Sequence, residues 1–238
     1  MQVNGLSCNI AITGGRSVFG IELALRNILK EHPNRRPHIT LWSASEYFTK
    51  GNRANLSKPW SLTDLDLYVA RTYRLEDLGP KHLTLDEHCQ RYSQRLKTEF
   101  DSGHAINWIL LSMGPDGEVA GHGNCSENNN KNTSPADPVF CLEEMPPANQ
   151  PGMTFSWTTI AQARNKVVFV VDQTEAHAGK KIAFFNRVVQ PYMAHPEEKR
   201  QSFGEWLERR ESGPAILHLL DAPVDCPRII FYKSSAKP

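Results

Sequence analysis

One segment constrains this chain more than any other: Ile106-Asn-Trp-Ile-Leu-Leu-Ser-Met-Gly-Pro-Asp-Gly-Glu-Val-Ala-Gly121. Apolar residues run from Ile106 to Met113 and stop abruptly at Gly114-Pro115-Asp116-Gly117, after which comes a carboxylate, Glu118. A short apolar run bounded by turn residues reads as a buried strand ending in a tight loop. In an open α/β sheet, ligands bind in the crevice outside the carboxyl ends of the strands. Asp116 and Glu118 are therefore the first candidates for chemistry.

The rest of the chain supplies the sheet that such a strand needs. Cys8 to Thr13 is apolar and runs into Gly14-Gly15-Arg16-Ser17, beyond which Phe19, Leu23, Ile28 and Leu29 predict a helix with one buried face. His38 to Trp42 reads as a second strand. Thr84-Leu-Asp-Glu87 has the form of a capping box, with Cys89, Tyr92, Leu96 and Phe100 following at helical spacing. Lys166 to Val171 reads as another buried strand, Phe203, Trp206 and Leu207 as one face of a late helix, and Arg228 to Tyr232 as a last strand. Strand–helix alternation of this kind predicts an α/β domain: about six parallel-type strands in a three-layer sandwich, with helices on both faces. With 238 residues, one domain spanning 1–238 is expected, with a mobile polar loop at about 122–137.

Composition narrows the partners. Twenty-seven Lys and Arg against 26 Asp and Glu give a formal net charge of +1, too balanced for a nucleic-acid binder that works by neutralising phosphates. No stretch approaches the roughly 20 apolar residues that span a bilayer, and Met1 to Asn9 lacks the pattern of a secretory signal. Five widely spaced cysteines (Cys8, Cys89, Cys125, Cys141, Cys226), without a Cys-x-x-Cys pair, predict free thiols in a reducing cytoplasm. His122 and Cys125 have a spacing compatible with shared metal ligation, but no second ligand pair stands nearby, so neither a metal nor a cofactor is expected.

Two loops carry the candidate chemistry. Thr13 to Ser17 joins a strand to a helix, where paired glycines let the backbone turn tightly and present its amides to an anion. Arg16 and the hydroxyls of Thr13 and Ser17 could add donors to phosphate oxygens, although a Gly-Gly turn by itself often only links two elements. In the second loop one of Asp116 and Glu118 could take a proton while the other orients the reacting group. Against that stands the structural alternative: Asp116 bonded to its own turn and Glu118 solvated at a helix start. His122 would lie one helical turn beyond Glu118 and is a substitute base, provided that a helix forms across Gly121 and Gly123.

From Asn9 to Tyr232 the motifs fall in an order that resembles the 6-phosphogluconolactonase and glucosamine-6-phosphate deaminase family. Gly114-Pro-Asp-Gly117 is similar to that family's Gly-x-Asp-Gly-His loop, with Glu118 at the histidine's position. Thr13-Gly14-Gly15 resembles its phosphate loop, and Glu46 stands where it carries Asp-Glu-Arg. Asn55 stands for the asparagine that follows. Thr154-Phe-Ser156, Ala163-Arg164 and Pro214-Ala215 match later segments. The resemblance implies the sugar-phosphate isomerase/lactonase fold and a metal-free hydrolase of a phosphosugar lactone, 6-phosphogluconolactone, in the pentose phosphate pathway. The implied state is a cytoplasmic monomer or homodimer. Glu118, Asp116 and His122 would form the catalytic group. Thr13, Gly14, Gly15, Arg16, Ser17, Glu46, Asn55, Gly117, Thr154 and Lys180 would bind the substrate. Charged positions depart most: Gly152 replaces an arginine, and the Gly-x-x-Lys after the long strand reads Gln173-Thr-Glu-Ala176, with no lysine before Lys180. The same departures imply alternatives: a non-catalytic relative that binds a sugar phosphate or a protein, or a diverged amino-sugar-phosphate isomerase or deaminase.

Overall fold

A computed structural model of the chain describes residues 8–13, 18–33, 38–48, 69–75, 83–123, 137–145, 150–172, 178–194, 214–221 and 227–233. Among the described residues eight strands form one sheet: β1 (Cys8–Thr13), β2 (Ile39–Tyr47), β3 (Arg71–Tyr73), β4 (Ile106–Ser112), β5 (Val139–Met145), β6 (Gln150–Phe155), β7 (Asn165–Asp172) and β8 (Arg228–Lys233). Their order across the sheet is β5-β6-β2-β1-β4-β7-β8, with β3 also on β2. β1–β2, β1–β4, β2–β3, β4–β7 and β7–β8 pair in parallel, while β2–β6 and β5–β6 are antiparallel. β3 and β6 divide one edge of β2: β3 takes Thr40 to Trp42, and β6 takes Ser45 to Tyr47.

The expected mostly parallel α/β sheet is present: β1, β2, β3, β4, β7 and β8 pair in parallel, and β5 and β6 add an antiparallel edge. Three of these strands lack the buried-strand signature. β3 is only three residues long, β5 carries Glu143 and Glu144, and β6 carries Pro151-Gly152 after its first residue, residues that argue against a strand when read locally. Tertiary pairing overrides that local preference.

Each sheet face packs its own core. On one face Ile10, Ile12, Ile39 and Leu41 meet α1 (Val18–Glu31) through Leu29 and Leu25. The predicted α1 stripe included Ile28, which is instead 50% exposed. Adjacent helical residues point about 100° apart, and the buried line runs through Leu25 and Leu29, four apart. The other face carries Trp42, Ile109, Leu111 and Val168 under α2 (Leu85–Asp101), α3 (Trp157–Gln162) and the later helices. Those are α4 (Ala178–Phe184), a π-helical turn (Phe185–Val189), α5 (Gln190–Met193) and α6 (Ala215–Leu220).

α2 locks onto the middle of the sheet by the residues that its spacing predicts. Cys89, Tyr92 and Leu96 are buried, and Phe100 packs against the same core. The Tyr92 hydroxyl donates to the Ser43 carbonyl at 2.9 Å, bringing a polar group into the core with a partner. Cys89 is disulfide-bonded to Cys141 of β5, contrary to the free thiols expected, whereas Cys8 is free. The pair is 52 residues apart in sequence, and the antiparallel β5–β6 edge that brings Cys141 under α2 has no sequence signature. Cys125, Cys226 and the helix expected around Phe203, Trp206 and Leu207 lie outside the described residues.

The polar loop expected at about 122–137 is described only at its ends. His122 is buried, and Asp137 accepts from Lys97 Nζ at 2.8 Å. No helix among the described residues is long and apolar enough to cross a membrane.

The capping box is complete. Thr84 Oγ1 accepts from the Glu87 amide at 3.3 Å, and Glu87 Oε2 accepts from the Thr84 amide at 2.8 Å. Thr84→Ala removes one of these bonds and unpins Glu87, so urea unfolding should show a loss of about 1 kcal/mol.

Candidate active site

The candidate site is built around the turn after β4. Its backbone closes on itself: Gly114 N donates to the Glu118 carbonyl at 2.8 Å, and Val119 and His122 exchange bonds of 3.0 and 2.9 Å. No helix starts here, because three residues adopt left-handed backbone: Gly117 (φ 83°), Ala120 (φ 54°) and Gly121 (φ 75°). For Ala120 that conformation is strained. Its carbonyl accepts from the Thr154 hydroxyl of β6, which ties the strained residue to the sheet.

Neighbours press on this turn from several directions. A Cβ at Gly117 would lie 2.7 Å from the Phe184 ring of α4 and 2.9 Å from Pro214 Cβ. The Gly117 carbonyl accepts from Ile216 N at 2.9 Å, so the Pro214-Ala215 turn docks on it. A Cβ at Gly121 would meet Met145 Sδ at 2.5 Å.

Glu118 bends back over the turn. Its Oε2 accepts from Asp116 N at 3.0 Å, and its carboxylate lies where a Cβ on Gly114 would be. Glycine at 114 is thus what gives the carboxylate its place. Lys181 of α4 interacts electrostatically with Glu118; burial pushes its ammonium pKa down, and Glu118 pulls it back up.

The other expected site residues separate into several roles. Asp116 is exposed at the tip of the turn. His122 is 2% exposed, stacked on Trp157 at 4.2 Å, with Phe140 edge-on at 6.1 Å. Its Nε2 lies 2.8 Å from the Phe155 carbonyl, where an Nε2–H donates. Burial, with a smaller contribution from His218, lowers its pKa to about 4 against the opposing Phe155 bond. This environment suits an uncharged packing residue rather than the substitute base expected.

Thr13 is buried at the end of β1. Its Oγ1 accepts from Ser112 N at 3.0 Å and donates to the Leu110 carbonyl at 3.4 Å, joining β1 to β4. Glu46 Oε2 accepts from Leu75 N at 2.9 Å and anchors the chain beyond β3. Lys180 is exposed, and the cation brought to the turn is its neighbour Lys181. Gly14, Gly15, Arg16, Ser17 and Asn55 lie outside the described residues.

Lys181 had a readable signal. Phe184 and Phe185 are buried, and Lys181 precedes them by three and four residues, on the same helical stripe. Gly152, where the resemblance implied an arginine in the family, is buried. A Cβ there would lie 2.7 Å from the Glu46 carbonyl and 3.0 Å from Met145 Cε, leaving no room for a side chain. Among the described residues no group of three or more His, Cys, Asp or Glu could hold a metal ion.

The family model for glucosamine-6-phosphate isomerases/6-phosphogluconolactonase matches residues 3–201. Among solved structures, a 6-phosphogluconolactonase from Plasmodium vivax is similar with a TM-score of 0.68 at 12% identity, over 96% of this chain and 79% of that one. The 6-phosphogluconolactonase of Trypanosoma brucei gives 0.59 at 17% identity, over 95% and 83%. A monomeric glucosamine-6-phosphate deaminase gives 0.57 at 12%, over 95% and 86%. No curated protein sequence matches the chain.

Two outcomes follow from the turn. An unfolded histidine protonates near 6.5 but His122 only near 4, so the unfolded state binds more protons between those values. Stability should therefore fall as pH drops through that window, by about 3 kcal/mol for this group. His122→Gln should flatten that part of the curve in chemical unfolding measured pH by pH. Gly117→Ala forces both a left-handed alanine and a clash with Phe184, and thermal unfolding should register a loss of more than about 2 kcal/mol.

Proposed function

The chain belongs to the glucosamine-6-phosphate isomerase/6-phosphogluconolactonase family, and from that premise we propose that it opens a phosphorylated sugar lactone by hydrolysis, with Glu118 as the base. The observation that carries this reading is the Glu118 carboxylate, held over Gly114 where β4 ends in the parallel part of the sheet. In the 6-phosphogluconolactonase reaction the lactone carbonyl carbon is the electrophile. Glu118 takes a proton from water while the water oxygen bonds to that carbon. The tetrahedral adduct collapses with cleavage of the ring C–O bond, and the departing ring oxygen receives the proton. Asp116, exposed beside it, orients the sugar, and the loop from Gly14 to Ser17 holds the phosphate. Thr13 contributes by fixing the end of β1 rather than by touching the phosphate.

A second reading is favoured by two observations. Glu118 already has a donor in Asp116 N, and the arginine's position is closed by Gly152, the Glu46 carbonyl and Met145. A carboxylate satisfied within its own turn, in a site with fewer cations, suits a relative that binds a sugar phosphate without turning it over.

Hydrolysis of freshly generated 6-phosphogluconolactone decides between them. Turnover well above the spontaneous rate, falling by about a hundredfold or more in Glu118→Gln, is the result expected of a carboxylate base. A wild-type rate equal to background rejects hydrolysis, and binding of 6-phosphogluconate by calorimetry would then support the second reading.

A further inference from the structure

α2 and β5 are joined covalently: Cys89 and Cys141 form a disulfide, with Cα atoms 6.1 Å apart. The two ends of this link differ in how firmly they are held. Cys89 is buried, and α2 is fixed around it by the capping box at Thr84 and by the Tyr92 hydroxyl, which donates to the Ser43 carbonyl at 2.9 Å. Cys141 is half-buried on β5, the terminal strand in the sheet order, whose ladder runs to β6 alone among the described residues. That ladder is interrupted between Leu142 and Met145, and the two residues between them, Glu143 and Glu144, are exposed.

Before Cys141 the chain is tied down twice. Asp137 accepts from Lys97 of α2 at 2.8 Å, and the Pro138 carbonyl accepts from Ser156 N and Thr159 Oγ1, each at 2.9 Å. Beyond Cys141 lies Met145, whose thioether fills the space where Gly121 and Gly152 carry no Cβ. The disulfide thus stands between the tied end of β5 and the end that supports the turn.

We propose that the Cys89–Cys141 disulfide is a thiol-exchange site that takes a dithiol as its reductant, and that opening it loosens the turn from Gly114 to Gly121 through Met145. The device goes beyond the hydrolytic reading and does not depend on which ligand or reaction the turn serves. A thiolate of the dithiol attacks Sγ of Cys141, the more exposed partner. The S–S bond breaks, a mixed disulfide forms on Cys141, and Cys89 Sγ leaves with the bonding electron pair and takes up a proton. The second thiol then attacks the reductant's own sulfur in the mixed disulfide and expels Cys141 as a thiolate, which is protonated in turn. Two electrons and two protons pass to the protein, and the dithiol ends as a disulfide. β5 keeps its ladder to β6 and its ties at Asp137 and Pro138, so the stretch that gains freedom is the one carrying Met145. With Met145 withdrawn from Gly121, the bonds between Val119 and His122 open more often.

In the native wild type, iodoacetamide should leave Cys89 and Cys141 unlabelled. Pretreatment with dithiothreitol, without denaturant, should open both to labelling, read by peptide mass spectrometry. Labelling that needs denaturant makes the link a permanent brace and overturns the exchange site; labelling without reductant overturns the disulfide itself. The thiol left in Cys89→Ser should react about tenfold faster or more than the one left in Cys141→Ser, and equal rates overturn Cys141 as the point of attack. Amide hydrogen exchange of oxidised and reduced wild type reads the coupling without any variant. Reduction should speed exchange by about tenfold or more at Met145, Val119 and His122, with β4 unchanged. Unchanged exchange at Val119 and His122 overturns the coupling. Equal acceleration in β4 overturns it as well, because the link would then hold the whole fold. Cys141→Ser should exchange like the reduced wild type with or without dithiothreitol, which separates this link from Cys8, Cys125 and Cys226. A profile like that of the oxidised wild type overturns the proposal.

Discussion

The backbone from Gly114 to Gly121 lies closer to its neighbours than a Cβ would permit at three positions, and the carboxyl end of the sheet depends on that closeness. The Glu118 carboxylate occupies the space above Gly114, Phe184 and Pro214 close on Gly117, and Met145 closes on Gly121. Each contact belongs to a different element, so this turn is where β4, β5, α4 and the Pro214 turn are held in register. The left-handed Ala120 in its midst is tolerable because Thr154 fixes its carbonyl from β6.

Electrostatics then follow from the packing. Phe184 is seated on Gly117, and Lys181, three residues earlier on α4, feels the charge of Glu118. His122, although only four residues from Glu118, belongs to the aromatic core: it stacks on Trp157 and has a pKa near 4. A carboxylate bonded within its own turn and a histidine kept neutral by burial thus sit four residues apart in sequence, separated in role by what each one packs against.

Much of this was legible in the chain. The apolar run before Gly114 predicted β4 and its turn, Thr84 and Glu87 predicted the start of α2, and Cys89, Tyr92, Leu96 and Phe100 predicted its buried face. What escaped was what only pairing creates. β5 and β6 carry glutamates, a proline and a glycine, and they become strands because β2 offers them an edge. The Cys89–Cys141 link is a consequence of that edge. At the site, types of residue were legible but directions were not. Thr13 and Glu46 turn out to bond backbone, and Lys181 rather than the exposed Lys180 shares the helix face of buried Phe184 and Phe185.

Met145 touches two glycines that are far apart in sequence, Gly121 of the turn and Gly152 of β6. The three positions therefore cannot vary independently. An arginine introduced at 152 would collide with the Met145 thioether and with the Glu46 carbonyl before it could reach any ligand. A smaller residue at 145 would have to come first, at the expense of the support beneath Gly121. A cation could thus be introduced at 152 only in a fixed order of changes, and the first step weakens the turn that carries the carboxylate.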